Sequence, residues 1–318
     1  MGIVDLSGEG GILEQNRPYL VPLAERLDLP PNVRARTNPK SSTGRLDVFT
    51  RVITDHSYMF DEVPAGYKGN LYLEIVPRTF TIRIKTGLSL NQLRLVAGQS
   101  SLSDQEIVDL HTSSPLLFRS GEPLGADRIA VNNGLFLGLH LGKKRGGELV
   151  GFRGKENSAL IDLSRIDHYS PRAFWEEVHS EPGGRIILHP EKFYLLLSQD
   201  AVRIPPEYAA EMTAYDPTSG ELRTHYAGFF DPGFGHDDRP HSNLGGSRAA
   251  LEVRAHDVPF AVEHGQNICR LSFERLVEPA DRVYGYDLDS NYQGQEIALS
   301  KHFKRERHRR YVQPQLFD

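Results

Sequence analysis

The chain is 318 residues long, with 37 Lys+Arg against 42 Asp+Glu and a formal net charge of -5 at pH 7. Its 39% hydrophobic content can fill a core, and its length suits two domains or one with large insertions, at roughly 100–200 residues per domain. The mild acidity argues against wholesale binding of nucleic acid or anionic membranes, and the single cysteine, Cys269, excludes a disulfide framework and any Cys-rich metal cluster.

No uninterrupted apolar run approaches the ~20 residues needed to span a bilayer. The opening Met1-Gly2-Ile3-Val4-Asp5 carries no basic region followed by an apolar stretch. A cytoplasmic protein without membrane partners is expected. In chain order, residues 71–76 read as an apolar strand, and 80–85 alternate apolar and polar with period two. Ser103-Asp104-Gln105-Glu106 fits a capping box that opens a helix through Ile107 and Leu110. Ser170-Pro171 predicts a second helix start, leading through Phe174 and Trp175 to Val178. Strands follow at 185–188, 193–197 and 249–253. With 20 prolines and 29 glycines spread between them, these short strands predict a mainly β chain of the barrel or sandwich kind, not a doubly wound sheet.

A long-period repeat organises the strands. Leu29-Pro30-Pro31 is echoed by Ile204-Pro205-Pro206, so position 29 maps to 204 at an offset of 175. Glu74 in its strand is echoed by Glu252 at an offset of 178, and Asn91-Gln92-Leu93-Arg94-Leu95 by Asn267-Ile268-Cys269-Arg270-Leu271 at 176. Two copies of one β unit are expected, roughly 25–100 and 185–275. The predicted division is 1–100, a connecting segment 101–180, and 181–318.

Several segments carry chemistry. Lys40-Ser41-Ser42-Thr43-Gly44-Arg45 combines hydroxyls, cations and a glycine, a composition suited to a phosphate chain, although such stretches are more often plain solvated turns. Glu252 and its counterpart Glu74 sit on apolar strands. Each either faces water or, turned inward, becomes a proton shuttle with a raised pKa. Phe229-Phe230-Asp231-Pro232-Gly233 is a strand end running into a turn. His236-Asp237-Asp238-Arg239-Pro240-His241 reads as a polar hairpin insertion, with metal binding the alternative. The basic run from Lys301 to Arg310 reads as a solvated helix or tail.

Together these segments resemble the dCTP deaminase branch of the dUTPase-like trimeric β-barrel family. Lys40-Ser41-Ser42-Thr43-Gly44-Arg45 looks like the family's R-S-S-x-x-R motif, with Lys for the first Arg. Ala227-Gly228-Phe229-Phe230-Asp231-Pro232-Gly233 and Leu251-Glu252 are similar to its A-x-x-x-D-P-G motif and the following L-E strand. Tyr284 followed by Asn291-Tyr292-Gln293-Gly294-Gln295 resembles its Tyr…K-Y-Q-G-Q closing motif, with Asn291 where the family has a phosphate-binding lysine. Residues 130–300 cover a family-length chain, and the first 100 look like an extra, partial copy. The S-S-x-x-R element belongs to the first copy, while the D-P-G and closing motifs belong to the second.

The resemblance implies two dUTPase-like distorted β-barrel units, of the β-clip type, with a few short helices. It implies zinc-independent hydrolysis of dCTP to dUTP and ammonia in nucleotide metabolism. One cysteine cannot supply the paired thiolates of the zinc deaminases, so the deaminase reading is zinc-free, with Mg²⁺ carried by the substrate triphosphate. In that scheme Glu252 shuttles the proton, with Glu74 a rival for the role, and Ser41 and Arg45 orient the water and stabilise charge. Lys40 and Ser42 hold phosphates, Asp231 meets the deoxyribose, Tyr284 and Gln295 close over the nucleotide, and Ala227 and Asn291 complete the binding motifs. Self-association is implied as well. Alternatives are a dUTP pyrophosphatase, a bifunctional enzyme forming dUMP, and a non-catalytic nucleotide-binding regulator.

Overall fold

The structure is a computed structural model that describes residues 2–142, 145–214, 222–224, 228–236, 245–255, 257–285, 288, 290, 292–294 and 298–305. It is mainly β, assembled from several largely antiparallel sheets. In the first copy the strands are β1 (Tyr19–Asp28), β2 (Val33–Pro39), β3 (Val48–Thr54), β4 (Glu62–Val63), β5 (Lys68–Pro77) and β6 (Asn91–Ala97). In the second copy they are β7 (Phe193–Val202), β8 (Tyr208–Ala214), β9 (Leu222–Thr224), β10 (Phe229–Phe230), β11 (Ser247–Ala255) and β12 (Asn267–Arg275). Each strand of one set has a counterpart six places on in the other.

Pairing follows the same plan twice. β5 lies between β1 and β3, as β11 lies between β7 and β9; β2 lies between β4 and β6, as β8 lies between β10 and β12. Leu20 faces Glu74 in the first copy, and Leu195 faces Glu252 in the second. Ala35 faces Val63, as Ala210 faces Phe230. Turns repeat too: Val33 donates to the Pro30 carbonyl and Tyr208 to the Pro205 carbonyl, each at 3.0 Å. Gly66 and Gly233 end equivalent turns at φ +74 and +88, the left-handed region that a glycine enters without steric cost. One landmark shifts. Thr37 faces Leu93 and Met212 faces Leu271, so Leu93 maps to Leu271 at 178, not the 176 that the asparagines suggested. A two-residue slip leaves every side chain on its own face, which is why the pattern of apolar residues did not reveal it.

The copies are not independent. Strand β7 is apolar on both faces: Tyr194 and Leu196 belong to the core of the second copy, Phe193 and Leu195 to that of the first. Its neighbour β11 divides likewise. Leu251 and Val253 enter the second core, whereas Ala250 packs against the first. Period-two alternation therefore turns Glu252, and Arg254 beyond it, toward the first copy. Half-buried ion pairs add to this contact, Arg36 to Glu211 at 3.2 Å and Arg94 to Glu274 at 3.3 Å.

The capping box is present, with the Ser103 hydroxyl accepting from the Glu106 N–H ahead of helix α2 (Asp104–Ser113), after α1 (Ser41–Gly44). The second predicted helix is corrected. Only one turn forms, α3 (Pro171–Phe174), and Trp175–His179 is a strand paired with Leu149–Gly154. Trp175 is buried against Phe80 at 5.2 Å between ring centroids, and the two neighbouring glutamates stay exposed; tertiary packing decides the conformation there. The basic run is corrected in its first residues. His302 and Phe303 are buried, and Phe303 packs on Phe174 and Trp175 at 5.6 and 5.8 Å, so the chain returns to the core before residue 306. No helix among the described residues is long and apolar enough to cross a membrane.

Candidate active site

A cavity of about 270 Å³ lies between the copies, lined by Lys40, Ser41, Ser42 and Arg45 from the first and by Asp231, Glu252 and Tyr284 from the second. Residues separated by more than 200 positions thus share one site. Its apolar lining includes Phe229, Phe230 and Phe234.

The first copy contributes the tight turn α1. The Lys40 carbonyl accepts from Thr43 and Gly44, and the buried Thr43 hydroxyl donates to the Leu90 carbonyl at 2.8 Å. Gly44 has a specific reason to be glycine: a Cβ there would lie 2.4 Å from Glu252 Oε2. The bare backbone lets the turn rest directly on the carboxylate, an approach no other residue permits without movement.

Arg45 is buried, its guanidinium 3.7 Å above the Tyr292 ring centroid, and it donates to the Ala298 carbonyl at 3.1 Å. Stacking and hydrogen bonding fix a planar cation where its charge faces Glu252.

Glu252 is 6% exposed, and burial pushes its pKa from 4.5 up to about 8, with Arg45 opposing the rise and Asp47 adding to it. Asp47, fully buried at φ +55, is paired with Arg254 and accepts from the Thr79 hydroxyl at 2.5 Å. Asp231 is likewise raised by burial, against the pull of Arg94 and Lys40; its side chain keeps 45% exposure, so the rise is moderated by water. Burial also raises the Tyr284 phenol. Tyr284 stacks on Phe234 at 5.5 Å, and its N–H donates to the Pro232 carbonyl at 2.7 Å, which joins the closing tyrosine to the Asp-Pro-Gly turn.

Glu74 does not line this cavity. It is bound to Arg51 on β3, with Arg51 Nε donating at 2.6 Å. Ala227, Asn291 and Gln295 lie outside the described residues, as does His236-Asp237-Asp238-Arg239-Pro240-His241 beyond His236. Among the described residues, no group of three or more His, Cys, Asp or Glu side chains could hold a metal ion.

Four contributors escaped the sequence reading. Gly44 and Tyr292 stood in quoted motifs without a role. Gln293 pins the closing segment by accepting from the Gly235 N–H at 3.0 Å and donating to the His236 carbonyl at 2.8 Å. Lys301, hidden in the basic run, lines the cavity.

Comparison with known proteins supplies the family. Residues 1–99 match the model of the 2'-deoxycytidine 5'-triphosphate deaminase N-terminal domain, and residues 103–303 match that of the C-terminal domain. The chain belongs to the 2'-deoxycytidine 5'-triphosphate deaminase family. The crystal structure of 2'-deoxycytidine 5'-triphosphate deaminase from Agrobacterium tumefaciens is similar at 46% identity and a TM-score of 0.78, over 86% of this chain and 79% of that one. The dCTP deaminase of Natronomonas pharaonis is 35% identical over 124 residues, 38% of this chain. The protein of Methanosphaera stadtmanae named "dCTP deaminase, dUMP-forming" is 28% identical over 137 residues, 42% of this chain. The chain spans 57% and 64% of the length of these two relatives.

Proposed function

We propose that the protein deaminates dCTP hydrolytically to dUTP and ammonia, using Glu252 as the proton shuttle in a site built once per chain from both copies. The observation that carries this is the cavity in which the Ser41–Gly44 turn rests on a buried glutamate. A carboxyl with a pKa of about 8 is near equal partition between acid and base at mildly alkaline pH, which suits a group that must take a proton and return it.

In this reading the triphosphate lies along Lys40 and Ser42, and the deoxyribose lies beside Asp231 and Tyr284. Glu252 removes a proton from a water held near C4, and the water oxygen bonds to C4. The proton passes to N3; the C4–N4 bond then breaks, and the amine departs as ammonia with a second proton from the hydrolytic water. Arg45 stabilises the charge that develops on this water and the charge that returns to the glutamate as it passes the proton to N3. Arg45 and Ser41 keep the catalytic roles assigned by resemblance. Ala227, Asn291 and Gln295 keep their binding roles on the same ground.

Among the described residues, two carboxylates line the cavity, Asp231 and Glu252. With Glu252 committed to proton chemistry in this reading, Mg²⁺ would enter as part of the substrate and offset charge on the triphosphate. We also read the chain as barrel-like units at 1–100 and 181–318, joined by 101–180, that self-associate and work in the cytoplasm. Incubating the protein with Mg²⁺ and dCTP, and measuring ammonia, pyrophosphate and the nucleotide products, tests the central claim. Ammonia with dUTP supports it. Ammonia with stoichiometric pyrophosphate and dUMP would move the protein to the bifunctional reading that several relatives' names carry, and nucleotide binding without turnover would leave a regulator.

A further inference from the structure

The stretch that carries Lys301 behaves as a strap across the phosphate turn. The Ala298 carbonyl accepts from Arg45, and the Ser300 hydroxyl donates to the Ser42 carbonyl at 2.9 Å. The Lys301 N–H donates to the Tyr292 hydroxyl at 3.2 Å. Beyond it, the His302 ring lies within hydrogen-bond reach of the Ser300 hydroxyl at 2.9 Å and of the Leu163 carbonyl at 3.2 Å, and Phe303 is held in the aromatic cluster. Every residue from 300 to 303 is therefore anchored, through its backbone or its side chain. Of these four residues, Lys301 is the one that lines the cavity.

Lys40 lines the same cavity. Neither ammonium forms an ion pair with a carboxylate among the described residues. The two lysines feel each other: burial first, and Lys40 second, lower the pKa of Lys301. A fold that holds two like charges together in a partly enclosed space is poised for a polyanion, which relieves their repulsion and supplies charge-assisted hydrogen bonds to both.

We propose that Lys301 is a phosphate-binding residue, gripping the substrate's polyphosphate opposite Lys40. The proposal rests on the nucleotide reading above and adds a residue that no motif assigned. A basic stretch near the end of the sequence thereby becomes part of the site, and the strap explains its reach. Ser300, Tyr292 and Phe303 deliver one ammonium to the turn that holds the other.

The test is direct binding and turnover with Lys301→Gln and Lys301→Arg, using dCTP, inorganic tripolyphosphate and deoxycytidine as probes. Glutamine should weaken dCTP and tripolyphosphate about tenfold or more, the loss of one charge-assisted contact, and leave deoxycytidine within about twofold. Arginine should restore most of the loss. Equal weakening of all three probes would mean a structural role, and unchanged tripolyphosphate binding would overturn the proposal outright. If tripolyphosphate binding depends on Lys301 while the wild type leaves dCTP intact, the deaminase reading fails and the phosphate site stands.

Discussion

Glu74 and Glu252 occupy the same register of the same strand in two copies of one unit, yet they live in opposite surroundings. Glu74 faces Leu20 on one neighbouring strand and Arg51 on the other, and its carboxylate is bound by that arginine with 22% of the side chain exposed. Glu252 faces Leu195 in the same way, but its strand is covered by the other copy, and the Gly44 turn presses on its carboxylate. The comparison teaches that the strand supplies a carboxylate and the covering surface decides its chemistry. A counter-ion at the edge makes a structural ion pair. A glycine turn, a stacked arginine and burial make a carboxyl with a raised pKa, the property the proposed proton shuttle needs.

The largest expected effect breaks this comparison in one step. Glu252→Gln should lower the kcat for dCTP by at least about a thousandfold, within the range general acid–base groups contribute. Glu74→Gln should leave kcat within about twofold and cost no more than ~1 kcal/mol, as half-exposed ion pairs do. Steady-state ammonia release from the two variants decides it, and the reverse ranking would move the chemistry to the first copy.

A second contrast uses two glycines. Gly44→Ala should reduce kcat by about a hundredfold while the protein stays folded, because a displaced carboxylate loses its alignment with substrate. Gly66→Ala, strained by its positive φ but not among the residues that line the cavity, should cost about 1–2 kcal/mol in thermal stability with little change in kcat. Circular dichroism melts beside the activity assay separate the two behaviours.

A third contrast is a pH signature. The folded pKa of Glu252, about 8, lies above its ordinary 4.5, so the native state holds a proton that the unfolded chain releases between those values. Its contribution is full below about pH 4.5 and is lost as pH rises through about 8, a change of the order of a few kcal/mol. Glu252→Gln should therefore gain thermal stability over wild type on going from pH 5 to pH 9. Over the same rise, wild-type kcat/KM should climb toward pH 8 as the base form fills. A stability difference that does not change with pH would contradict the buried, protonated glutamate.

Much of this was legible in the residues. Alternation and turn chemistry located the main strands, because period-two burial leaves its mark on every strand. The echo of Leu29-Pro30-Pro31 in Ile204-Pro205-Pro206 revealed the duplication, because both turns make the same hydrogen bonds. The motif split between copies led to one composite site, and Ser41, Arg45, Asp231, Glu252 and Tyr284 do line one cavity. Residues 174–178 were misread because a proline start and a helical spacing of apolar residues say nothing about the strand waiting at Leu149–Gly154. Lys301 was missed because a basic run looks solvated unless its neighbours His302 and Phe303 are known to be buried.

The sequence by itself determined which residue types were present and in what period: a mainly β chain, repeated, with a glutamate-bearing strand in both copies, a hydroxyl-rich turn in one and the Asp-Pro-Gly and closing motifs in the other. These are local properties, written in spacing and side-chain chemistry. Only the tertiary structure decided which of two equivalent glutamates is buried, why residue 44 must lack a side chain, and that a lysine near the end of the sequence reaches a turn near its beginning. Those outcomes depend on which surfaces meet across long stretches of chain, and burial, not sequence position, sets a carboxyl's pKa and a cation's partner.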